Sequence, residues 1–116
     1  MSPLQIADEL ADLFHELREE LHAPANLTSL AKQLSCFAAF TRAAASAGPT
    51  PLLKHCFEVA DRWLRADDAH LTRAIQCSYL DSLHLDATAR GGQLARQLMP
   101  PRLHGEYLSQ QYASLP

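Results

Sequence analysis

The chain has 116 residues, 47% of them hydrophobic and 20% charged, and a formal net charge of −3. This composition excludes a disordered acidic chain and a strongly basic nucleic-acid binder, and no apolar run is long enough to span a bilayer. The length fits one domain, residues 1–116, able to bury roughly two-thirds of its unfolded surface without metal or disulfide staples.

Proline, glycine and capping residues punctuate a helical pattern. Ser2-Pro3-Leu4-Gln5 has the form of a capping box with Pro3 at the first helical position. Ile6, Leu10, Leu13, Phe14, Leu17 and Leu21 then recur every three or four residues, which predicts a helix over 3–22 that ends before Pro24. Asn26 or Thr28 can cap a second helix over 27–47. Its stripe is Leu27, Leu30, Leu34, Phe37, Ala38, Thr41 and Ala44, and Gly48-Pro49 stops it.

Thr50-Pro51 starts a third helix over 51–66, with Leu52, Cys56, Val59, Ala60 and Trp63 on one face. Lys54, Glu58, Asp61, Arg62 and Arg65 share the other side, in the i,i+4 pairs Lys54–Glu58, Glu58–Arg62 and Asp61–Arg65. Asp67-Asp68 caps a fourth helix over 68–86. It is apolar on most sides and is therefore expected to be the most buried. Residues 87–116 form a C-terminal extension with short helical stretches on either side of Pro100-Pro101. No segment alternates as a strand does. The expected fold class is all-α: an antiparallel bundle of four main helices with a short helical extension. Leu10, Leu17, Leu34, Phe37, Phe57, Trp63, Ile75 and Leu83 are its expected buried residues.

Catalytic and metal motifs do not emerge. Cys36, Cys56 and Cys77 are an odd number, about twenty residues apart with no close pair, so reduced thiols in the core are expected. The six histidines are scattered. Arg90-Gly91-Gly92-Gln93 lacks the lysine and spacing of a phosphate-binding loop. No catalytic residue, metal or cofactor is expected, and the chain reads as a non-enzyme. The N-terminus lacks the basic start and apolar centre of a signal peptide, so a cytoplasmic location is expected.

Charge placement is more informative. Residues 1–24 hold Asp8, Glu9, Asp12, Glu16, Glu19 and Glu20 against Arg18 alone, a charge of −5, whereas the remainder carries seven acids and nine bases, or +2. On a continuous helix Asp8, Asp12 and Glu19 lie opposite the apolar stripe with Glu16 beside them. Such a ridge suits a basic partner, although a solvated face accounts for the same charges. Tyr107 and Tyr112, near Arg102 and His104, have an interface-like composition. They can equally dock onto the bundle and close its end.

The stretch Leu52–Leu64, the turn Asp67-Asp68, and Ala74-Ile75-Gln76-Cys77-Ser78-Tyr79-Leu80-Asp81-Ser82-Leu83 resemble a family of small all-helical immunity proteins. These belong to bacterial polymorphic-toxin systems, including contact-dependent growth inhibition. The likeness covers residues 52–83. It implies a cytoplasmic protein that binds and neutralises a cognate toxin domain, with no direct nucleic-acid or membrane contact. A nuclease toxin, whose cleft must be basic, would suit the acidic ridge. On this reading Asp8, Asp12, Glu16 and Glu19 bind the toxin, with Tyr107 and Tyr112 as secondary anchors. The residues also fit a non-catalytic helical adaptor that acts through homodimerisation or another protein partner.

Overall fold

The computed structural model describes residues 3–46, 51–66, 68–80, 83 and 97–113, without the side chains of residue 3 and residues 110–113. Among these residues every regular element is helical and no strand occurs, so the fold is all-α. No helix among them is long and apolar enough to cross a membrane. The proposed capping residue Ser2, the stop Gly48-Pro49, the tail of the fourth helix and residues 87–96 lie outside the described residues.

Helix α1 (Pro3–Leu13) ends where the sequence predicted continuation. Phe14 takes an extended conformation, φ −133° and ψ 91°, and a 3₁₀ turn over His15–Leu17 leads into α2 (Arg18–Leu21). The continuous helix over 3–22 is therefore corrected to two helices and a turn. The cause is burial. Phe14 is 2% exposed. Its ring packs against Phe37 at 5.6 Å, Phe40 at 5.2 Å and His55 at 5.2 Å between centroids. The kink lets Phe14, Leu17 and Leu21 all reach one core, and that burial outweighs the helical preference of the segment.

A single turn, α3 (Pro24–Leu27), precedes α4 (Leu30–Ser46). The cap of α4 is Ser29, whose hydroxyl accepts from Lys32 N–H at 3.3 Å, and neither Asn26 nor Thr28 fills that role. Asn26 instead donates to the Glu20 carbonyl at 2.8 Å, while the buried Gln33 amide donates to the Asn26 and Leu27 carbonyls at 3.1 and 2.9 Å. These bonds satisfy turn carbonyls that would otherwise be lost to water.

Helix α5 (Pro51–Leu64) is the most deeply inserted of the long helices, burying Leu53, Cys56, Phe57, Val59, Ala60, Asp61, Trp63 and Leu64. Of its expected i,i+4 pairs, Asp61–Arg65 is present at 2.8 Å, with Asp61 buried. Arg62 turns away from Glu58 and pairs with Glu9 of α1.

Asp68 caps α6 (Ala69–Ala74) by accepting from Leu71 N–H at 3.1 Å. The chain then winds as a π-helix over Ile75–Leu80. In an α-helix Leu80 would sit about 140° around the axis from Ile75. The wider π turn rotates less per residue and brings Ile75, Tyr79 and Leu80 to the buried side together. The segment is less enclosed than expected, since Arg73 and Cys77 are exposed. Finally, α7 (Pro101–Ala113) packs on α5 and on the π segment.

All eight expected core residues are at most 4% exposed. Phe37 stands at the centre. Tyr79 stacks on it at 4.8 Å, and Trp63 meets it edge-on at 5.9 Å. Thr41 donates to the Phe37 carbonyl at 2.9 Å and shares a 3.0 Å hydrogen bond with the Tyr79 hydroxyl.

Candidate functional site

The break at Phe14 turns α2 back against α1. On one straight helix residues 8 and 22 would stand about 21 Å apart. Here His22 Nε2 lies 2.9 Å from Asp8 Oδ1 and Nδ1 lies 2.9 Å from the Arg18 carbonyl. Hydrogen bonding to Asp8 first, and to Arg18 second, raises the His22 pKa above the ordinary 6.5. The second tie, Arg62 to Glu9, fastens this hairpin to α5. The acid-bearing segment from α1 to His22 is thus a folded-back unit clamped to the core.

Of the expected ridge, Asp8 and Asp12 are exposed on α1, Glu16 is exposed on the 3₁₀ turn and Glu19 is exposed on α2. The wheel drawn for a single helix does not apply, because three elements carry the four carboxylates. Asp8 is also engaged by His22. Tyr107 is 2% exposed and belongs to the core, so its side chain holds α7 in place and would have to leave the interior to touch a partner directly. Tyr112 lies on α7, and its side chain is outside the described residues.

The thiols divide by environment. Cys56 is buried in the core, as expected. Burial pushes its thiol up to about 11. Burial, with Glu20 beside it, does the same to Cys36. Cys77 is exposed, which corrects its assignment to the core. It lines a cleft of about 620 Å³ between α6, the π segment and α7, with Thr72, Arg73, Gln76, Arg102 and Glu106. No motif pointed to this cleft. Its only trace in the sequence is the spacing of Thr72, Arg73, Gln76 and Cys77, which places them on one helical side.

Among the described residues no group of three or more histidine, cysteine or acidic side chains is placed to hold a metal ion. A family model described as a domain of unknown function, DUF7674, matches residues 7–113. No curated protein and no solved structure matches the chain.

Proposed function

The chain belongs to the DUF7674 family, and for this member of it we propose a binding role. It is an immunity protein that neutralises a cognate bacterial toxin domain of a contact-dependent or related polymorphic-toxin system. It works in the cytoplasm, without catalysis and without a cofactor. The observation that carries this reading is the exposed set Asp8, Asp12, Glu16 and Glu19 on a clamped hairpin.

A toxin that acts on nucleic acid must hold phosphates with lysine and arginine. Opposite charge would steer such a basic cleft onto the hairpin and disfavour wrong partners. A four-helix antiparallel arrangement, expected from the short connections, gives the hairpin a rigid support. Tyr107 serves this face indirectly, by fixing α7. Tyr112 is the remaining candidate anchor near the C-terminus.

The test is co-purification with the C-terminal domain of any large toxin encoded next to it, followed by association rates over a salt series. The double variant Asp12→Lys, Glu19→Lys should keep its fold, because exposed substitutions move stability by under about 0.5 kcal/mol each. It should associate about tenfold more slowly at low salt, with a flattened salt dependence. Unchanged rates and unchanged protection would remove the hairpin from the interface. Failure of the wild-type chain to capture the toxin would overturn the immunity reading itself.

A further inference from the structure

The cleft beside the π segment is a second surface, independent of the hairpin, and its charges are unequally occupied. Two carboxylates reach it, and both have partners. Asp68 accepts from Leu71 N–H at 3.1 Å, and Glu106 accepts from the Gln76 amide at 2.8 Å. Two arginines line it as well, on separate helices: Arg73 in the last turn of α6 and Arg102 at the start of α7. Both are exposed, and neither makes an ion pair among the described residues. Thr72 adds a hydroxyl, and Leu64 adds an apolar floor. The volume of about 620 Å³ lies within the range of small-molecule sites. One wall is π-helical, a winding that occurs frequently at functional sites.

We propose that this cleft binds a small phosphomonoester, with its phosphate held between the guanidiniums of Arg73 and Arg102. Guanidinium is the planar fork that matches phosphate oxygens two at a time. Two of them, from separate helices, match a dianion better than a monocarboxylate, which needs only one. The organic part of the ligand lies toward Leu64. Asp68 and Glu106 are the two lining carboxylates that oppose an anion; Asp68 also caps α6, so Glu106 is the one that can be neutralised without removing a helix cap. This predicts opposite effects for substitutions a few ångströms apart.

The experiment titrates inorganic phosphate, glycerol phosphate and acetate into the full chain. It follows amide shifts by NMR and the alkylation rate of Cys77, the thiol exposed in the cleft. Cys36 and Cys56, each pushed up to about 11, react too slowly to interfere. Both phosphates should shift residues 72–77 and 102–106 and protect Cys77, and acetate should do neither. Arg73→Gln with Arg102→Gln should weaken phosphate binding about tenfold or more. Glu106→Gln, whose amide oxygen still accepts from Gln76, should strengthen it. All of these positions are at least partly exposed, so the variants keep the fold, which circular dichroism verifies. The proposal is overturned by no response at about 50 mM phosphate, far above a millimolar Kd. Shifts that map elsewhere, acetate binding as well as phosphate, or full binding in the double arginine variant would overturn it equally.

Discussion

Both partners of His22 are acceptors, the Arg18 carbonyl and the Asp8 carboxylate. A neutral imidazole has one N–H and the imidazolium has two, so only the charged ring donates to both. That is why its pKa lies above 6.5 in the folded chain. The link therefore contributes fully below about pH 6.5 and is lost as pH rises through the folded value. An NMR titration should place His22 above about 6.5, the reference value for an unperturbed ring. Asp8→Asn, which removes the largest cause, should bring it back toward that reference. An unshifted His22, or one indifferent to that substitution, would show that the hairpin latch is not formed in solution. None of this was legible in the sequence. Residues fourteen apart have no local relation, and the contact exists only because Phe14 breaks the helix.

At the scale of the elements, apolar spacing and punctuation located the long helices, and tertiary packing decided their ends. The cap at Asp68 was readable because its chemistry is local: a short carboxylate before a helical run satisfies an orphan N–H. Asp68→Ala should lower the midpoint of urea denaturation with an unchanged m-value, because the Leu71 N–H loses its acceptor. No loss would mean that α6 draws no support from its cap. The kink at Phe14 and the π winding after Ala74 were not readable, because each exists to bury a side chain against a distant helix. Phe14 turns toward Phe37 on α4, and the π turn carries Leu80 inward beside Tyr79.

Across the whole molecule, two adjacent residues of α5 make long-range contacts of very different weight. Trp63 is 2% exposed and meets Phe37, so Trp63→Ala should destabilise by about 3–5 kcal/mol. Arg62 reaches Glu9 across the molecule, but its side chain is 58% exposed. Arg62→Ala should therefore change stability by less than about 1 kcal/mol. Equal losses in thermal or chemical denaturation would contradict this picture of one apolar core with weak surface ties. The core was legible because burial follows periodicity: the eight side chains expected inside, from Leu10 to Leu83, are all buried, and Cys77 is the expected core residue that lies at the surface. The candidate sites were legible only as charge. The −5 of the first 24 residues is visible in the sequence. Its folding back on itself is not, and neither is the placing of Arg73 and Arg102 in the lining of one cleft.

The burial of Trp63 also has an optical consequence. The chain contains one tryptophan. Its indole N–H has no hydrogen-bond partner among the described residues, and its ring lies against Phe37. An excited indole in that setting has little mobile polarity around it to relax its dipole. The native emission should be blue-shifted and poorly quenched by iodide, and it should move to the red only when α4 and α5 separate. Intrinsic fluorescence of the unlabelled chain thus reads the integrity of one helix–helix contact directly.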